Sequence, residues 1–518
     1  MFIVPVEGRE RSMDVAARSN KKGLRPAPRR ETLPPPIRLA ILLGLALGLG
    51  NCGQTAKTPI PASQDQVHSY FGSPFPAYED SGTTIDHSAN QLMLSTAASG
   101  TPAPVVGGTF TASPTGFLVV TENIISGVPD SQFQPPLVMG QPVTGSSVVE
   151  IPGVGALANL MTVNTGGMGP PTLAGAVAMA ENTACPSFQT AANFLYVTVP
   201  IVKSAGVAST ADYGTVGVKT QGTAVTFSAS PFLVGSVSQT ASAVTGGCSD
   251  SFFGPITTFP LNSLGQTSFD RIAIGASGLL VDSFTSSVSA GAFGQNASSS
   301  GVIGVAAPSS PVSASAVVTA NYTGYVYTPQ SQITFTVPLT YDATLLASAF
   351  GNHSASSQSC SALNSSIAAN HGQGSSGTVA ALPSRNSLYG GEFLTTSGAN
   401  LVNIPSGAQG SENCDLVIDF GVQDPNNNGL FPNAAIFVGS SFPPFSTANP
   451  WLCTGLNQGN GVPCAVSFPA VAVVAELESK FVIFVVSSSQ STPPAQLPDA
   501  FGNLAPQPVG IYLFQNSP

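Results

Sequence analysis

Short apolar runs separated by Gly, Pro, Ser and Asn recur along most of the chain, and few stretches keep a helical period. Residues 109–111, 116–121 and 194–199 are β-branched and aromatic runs bounded by turn formers, a pattern that predicts strands. Residues 213–228 predict a hairpin turning at Thr220, Gln221 and Gly222, where Gly222 is free to take the positive φ of a short loop. Residues 272–275 and 279–281, joined through Ala276, Ser277 and Gly278, predict a second. Further strands follow at 322–327 and 333–337, and then at 415–420, 434–438, 471–477, 481–486 and 509–514.

One segment breaks the pattern. Residues 342–350 predict a short helix capped by Asp342 and stopped by Gly351, followed around Cys360 by a Ser- and Asn-rich loop with one more helical turn. Strands this closely spaced, without long helices between them, predict an all-β fold of antiparallel sheets in sandwiches or barrels, with one or two short helices. A β-propeller is the alternative, although no fixed-period repeat stands out.

The start of the chain reads differently. Residues 39–50 form an apolar run of about 12, too short for a membrane-spanning helix of about 20 but suited to the core of a secretory signal. Arg25, Arg29, Arg30 and Arg38 precede it, and Leu49, Gly50, Asn51 and Cys52 resemble the lipobox after which bacterial signal peptidases cut and lipidate the cysteine. Asn51 departs from the small residue usual there, so an ordinary secretory signal is the competing reading. The long leader suggests a true start at Met13. The expected organisation is a signal peptide over 1–51, a lipid-anchored tether over 52–70, and β domains over 71–310 and 311–518, or one large β domain over 71–518.

Composition fits export. Only 8 % of residues are charged, against about 25 % in average proteins. Nine of the fifteen Lys and Arg precede Cys52, leaving six against twenty-one acidic residues in the mature part, a net charge of roughly −15. That balance argues against nucleic acid or an anionic membrane surface as a partner. Hydrophobic residues make up 42 % of the chain, so a real core can form.

Once Cys52 is assigned to the lipid, Cys185, Cys248, Cys360, Cys414, Cys453 and Cys464 remain, an even number that reads as three disulfides in an oxidising compartment. The sequential pairing, 185 with 248, 360 with 414 and 453 with 464, is the favoured one of fifteen. No CxxC pair occurs, and His68, His87, His353 and His371 are scattered singly, which weighs against a zinc site.

Residues 468–474 (FPAVAVV), 478–486 (ESKFVIFVV) and 509–515 (VGIYLFQ) resemble the closing strands of large secreted lipoproteins of the acidobacterial type. Residues 214–218 and 304–310 are similar to internal stretches of the same group. The resemblance implies location and fold class; its motifs are strand patterns and bring no activity with them.

The search for chemistry is mostly negative. No nucleophile elbow, P-loop, HExxH or dinucleotide fingerprint stands in a fitting context. Carboxylates gather at Glu79, Asp80 and Asp86, read as a loop, and at Glu476 and Glu478, read as flanking a β-turn. Asp424, Asn426 and Asn428 followed by Gly429 match the opening of an oxygen-ligand calcium loop, with Asp419 as a substitute for the missing twelfth-position Glu. A plain turn explains the same residues, and the only cofactor expectation is weakly bound calcium. The expected function is a non-catalytic cell-envelope lipoprotein, a structural or binding β module held in the membrane by its N-terminal lipid and meeting an envelope protein or a polysaccharide. A secreted hydrolase of extracellular polymer is the alternative.

Overall fold

The computed structural model describes residues 67–75, 80–97, 103–113, 116–123, 147–162, 172–181, 184–198, 202–204, 207–208, 213–232, 242–251, 254–260, 269–284, 302–332, 340–351, 386–394, 416–438, 466–487, 496–498, 504–506 and 510–516. The signal, Cys52 and the strand expected at 333–337 lie outside them. Among the described residues no helix is long and apolar enough to cross a membrane, which says nothing of strands.

The strands close into three eight-stranded barrels. Barrel 1 runs β1 (Val67–Phe75), β2 (Asp80–Asp86), β3 (Gln91–Ala97), β4 (Ala103–Ala112), β5 (Phe117–Asn123), β6 (Ser147–Ile151), β7 (Gly155–Thr162) and β8 (Thr172–Glu181). Every neighbour is antiparallel, and β1 closes on β8 with Tyr70 opposite Glu181. Barrel 2 begins with β9 (Ala192–Thr198), followed by a small separate pair, β10 (Val202–Ser204) and β11 (Val207–Ala208). It continues through β12 (Tyr213–Gln221), β13 (Ala224–Phe232), β14 (Ser242–Ser251), β15 (Gly254–Pro260), β16 (Phe269–Ile274), β17 (Leu279–Phe284) and β18 (Val302–Ala306), which pairs back onto β9. A single helical turn, α1 (Ala314–Val317), precedes barrel 3.

Barrel 3 comprises β19 (Tyr322–Gln332), β20 (Thr340–Gly351), β21 (Ser387–Leu394), β22 (Leu416–Asp419), β23 (Leu430–Val438), β24 (Val466–Leu477) and β25 (Lys480–Ser487). A second small pair, β26 (Gln496–Pro498) and β27 (Leu504–Pro506), intervenes before β28 (Gly510–Gln515) closes the barrel on β19. The spans 71–310 and 311–518, expected as separate β domains or as one, thus hold two barrels and one. Strand β1 starts at Val67, inside the stretch expected as tether.

The near-continuous apolar runs have a geometric cause. Successive strand residues point to opposite faces, and here both faces are buried. Val471, Val473 and Ala475 of β24 face a core shared by all three barrels, while Ala470, Ala472 and Val474 fill the interior of barrel 3. The same division separates Leu195 and Val197 from Phe194 and Tyr196 on β9. Each buried Val, Leu or Phe contributes about 1.5–3 kcal/mol, so the shared core fastens the barrels into one body.

Two expectations need correction. Residues 342–350 are not a helix but part of β20, which pairs with β19 from Tyr322↔Phe350 to Gln332↔Thr340 and with β21 on its other side. A nine-residue helix is marginal in isolation, and two ladders of backbone hydrogen bonds outweigh so weak a propensity. Residues 80–86, read as loop carboxylates, form β2. The predicted hairpins stand, with the first turning at Gly222 and Thr223, one to two residues later than expected. Of the predicted disulfides, Cys185–Cys248 is formed. Cys360, Cys414, Cys453 and Cys464 lie outside the described residues.

Candidate functional site

At one end of barrel 1 the chain gathers five side chains with proton chemistry. Val149 and Ile151 of β6 face the shared core, so Glu150 between them turns into the barrel. Ala180 likewise faces that core and hands the interior position to Glu181. On β1, Phe71 packs outward against Ile256 and Ala273 of barrel 2, which leaves Tyr70 and His68 inside. His87 opens the β2–β3 turn. Asp86 builds that turn by accepting from the backbone N–H groups of Ser88 and Ala89 and from the Ser88 hydroxyl, and Asn90 takes a left-handed φ of 51°. The Ser88 hydroxyl, foremost among these donors, holds the Asp86 carboxyl below its ordinary pKa.

The geometry centres on Glu150, whose side chain is only 3 % exposed. Tyr70 donates its hydroxyl to Oε1 at 2.5 Å, and His87 Nε2 lies 2.7 Å from Oε2. His68 Nδ1 lies 3.3 Å from Glu181 Oε1. The rings of His68 and His87 are 6.2 Å apart, and His87 meets the edge of Phe110 at 5.8 Å. Exposure grades outward, with His87 at 36 %. The hydrogen bond to Glu150 raises the His87 pKa against the opposing effect of its partial burial. Burial, reinforced by the Glu150 charge, pushes the Tyr70 phenol far above its ordinary value, so Tyr70 remains a donor. Two donors on one buried carboxylate make a proton-holding centre with an imidazole at its outer edge.

In barrels 2 and 3, one mouth of each is covered, among the described residues, by the linker that leads into the barrel. Before barrel 2, Cys185 is tied to Cys248 on β14, and Phe188 packs edge-on against Phe194 while exchanging hydrogen bonds with Thr220. Before barrel 3, α1 is capped by Ser313 and drives Val317 and Val318 into the barrel core, and Tyr322 donates its hydroxyl to the Val317 carbonyl. Apolar side chains therefore close mouths 2 and 3, where mouth 1 carries ionisable ones.

The loop expected to hold calcium fastens that second linker. Asp424 Oδ1 accepts from the backbone of Asn426 and Asn427 and from the Asn427 amide. The Asn428 amide donates to the Pro308 carbonyl, and Gln423 Oε1 accepts from the backbone of Val312 and Gly429. Gly429 needs its missing side chain: its φ is +84°, and a Cβ would lie 2.3 Å from the Val474 carbonyl oxygen. Asp419 serves a different backbone group, accepting from Gly421. Asn426 contributes its N–H to the turn, and Asn428 faces the linker rather than Asp424. Among the described residues no group of three or more His, Cys, Asp or Glu is placed to hold a metal ion.

The mouth of barrel 1 is not legible in the sequence. His68 and His87 were scattered singly in the sequence, and Glu150 and Glu181 lay in apolar runs. The available signal was a lone acid flanked by strand-forming apolar residues, as in Val149-Glu150-Ile151, in a chain that carries few charges.

Fold and site together define a class, a protein of three antiparallel eight-stranded barrels around a shared apolar core with an ionisable cluster in the first mouth. No family model and no curated protein matches the chain.

Proposed function

We propose that the chain is a non-catalytic bacterial cell-envelope lipoprotein, anchored through Cys52 and belonging with the acidobacterial-type secreted lipoproteins that its closing strands resemble, and that it acts as a binding module. The observation that carries this reading is the contrast among the mouths: two are closed by apolar side chains, whereas the first presents the imidazole of His87 above buried Glu150 and Tyr70. Among the described residues the first mouth is the polar, partly exposed one, which suits recognition of a neutral or cationic envelope component. The scarcity of Lys and Arg after Cys52 and the acidic balance of the mature chain support a polysaccharide or an envelope protein over nucleic acid.

The test pairs location with binding. Cys52→Ser is expected to move the protein out of the membrane fraction, and pull-down from envelope material is expected to lose its captured component when Glu150→Gln alters the mouth. Equal membrane association of wild type and Cys52→Ser overturns the anchoring, and capture that is indifferent to Glu150→Gln overturns the assignment of the binding face.

The 2.7 Å carboxylate–imidazole pair favours one second reading, a hydrolase of extracellular polymer with His87 as general base. Release of reducing ends by wild type, lost in Glu150→Gln, would select it.

A further inference from the structure

We propose that the mouth of barrel 1 is a proton-controlled closure: protonated His87, 2.7 Å from Glu150, locks the β2–β3 turn onto β6 across the barrel, and loss of that proton loosens the turn. The proposal does not depend on what the mouth binds.

The β2–β3 turn is internally held by Asp86 and is tied to β4 by the Phe110 N–H donating to the Asn90 carbonyl. The contact between His87 and Glu150 joins it to β6, 63 residues further along the chain. That tie is the titratable one. Among the described residues, the titratable groups around His87 are Glu150 on β6, His68 on β1 and Asp86 next to it in the chain, with Tyr70 held on the other oxygen of Glu150 and Glu181 beside His68.

Charge then sets the direction. A protonated His87 places its charge 2.7 Å from Glu150 Oε2, on a side chain only 3 % exposed; a neutral His87 leaves that contact without charge assistance. Removing compensation from a buried carboxylate costs far more than at a surface. The His68 charge opposes protonation of His87 and tempers the effect, while the neighbouring Asp86 favours it.

The sign of the pH dependence follows. The folded-state pKa of His87 is raised. Its contribution is therefore complete below the ordinary imidazole value of about 6.5 and is lost as pH rises through the higher folded value. Asp86 works at the other extreme. Its pKa is lowered, so its contribution is present above the ordinary carboxylate value of about 3.9 and is lost only in stronger acid. Tyr70, raised by burial, keeps its proton throughout, and its contribution fades only above about pH 10. The closure is tightest in weak acid and loosens as pH rises through the folded-state value of His87.

Two measurements on the full chain test this. An NMR titration should place the His87 imidazole above its ordinary pKa. Hydrogen exchange, corrected for intrinsic rate, should show protection at residues 86–91 and 147–151 falling as pH rises from about 6.5 through the raised His87 value, by up to about tenfold for each unit of elevated pKa. His87→Gln, which keeps a donor but cannot titrate, should flatten that profile. A His87 pKa at or below the ordinary value overturns the proposal, as does the same pH-dependent loss in His87→Gln. Should that variant fail to fold, the wild-type titration decides alone.

Discussion

The hydroxyl of Ser277 donates to the carbonyl of Gly153 at 3.1 Å, joining the β16–β17 turn of barrel 2 to the β6–β7 turn of barrel 1. These are the same hairpin, sixth strand to seventh, in their respective barrels. The third member is close by, because a Cβ on Gly278 would lie 3.6 Å from Leu477 at the β24–β25 turn. Equivalent tips thus meet at the end of the shared core, adjacent to the Glu150 site, whose Tyr70 also hydrogen-bonds with the backbone of Gly153.

Gly278→Ala is expected to damage this junction more than Ser277→Ala. Gly278 has φ +100°, and an added Cβ would come within 2.7 Å of that of Ala306. A loss of about 1–3 kcal/mol is expected from the backbone alone. Ser277→Ala removes one hydrogen bond and should cost about 1 kcal/mol. Denaturant unfolding of both variants measures the difference, and an equal cost would contradict the steric account.

The hairpin tip of barrel 3 offers the opposite change. Glu478 and Ser479 both take positive φ, 48° and 63°, which L residues adopt at a cost. Replacing them with Asn and Gly, the preferred pair for this turn, should raise stability by about 1 kcal/mol. A lower melting temperature in the double variant would count against it.

Tyr70→Phe isolates one donor of the buried carboxylate. The ring volume stays, but Glu150 loses its 2.5 Å partner, so a cost of about 1–3 kcal/mol is expected. Thermal melts at pH 6 check this, and a neutral effect would mean that His87 alone satisfies the carboxylate.

Cys185–Cys248 closes a loop across a sequence separation of 63, and its loss should cost about 4 kcal/mol by freeing the unfolded chain. Peptide mapping without reductant should recover the linked pair. Melting of Cys185→Ser tests the magnitude, and an unchanged melting temperature would show that Phe188 holds the mouth without the disulfide.

Asp424→Ala separates turn from ion. As the acceptor that builds the turn, Asp424 should cost about 1 kcal/mol when removed, equally in chelator and in millimolar calcium. A wild-type gain of about 1.4 kcal/mol at calcium ten times its dissociation constant, absent in the variant, would instead make it a ligand.

Local pattern along the chain determined much of this protein. Strand identity in runs such as 481–486 and the hairpins pivoting on Gly222 and Gly278 were legible, because β-branched periodicity and positive-φ glycines act over short distances; cysteine parity pointed to disulfides, but the 185–248 pairing, part of the favoured connectivity of fifteen, was fixed by the fold. Three further things were decided by tertiary structure. Residues 342–350 became a strand because β19 and β21 offered two ladders that no local propensity encodes. The threefold repetition of the barrel stayed hidden because its inward and outward positions accept any apolar residue, so β9, β24 and β28 share a pattern of burial without sharing a motif. The site at the first mouth arose only on closure: β1 pairs with β8 and places His68 beside Glu181, while the β2–β3 turn brings His87 to Glu150, joining residues that lie 113 and 63 positions apart.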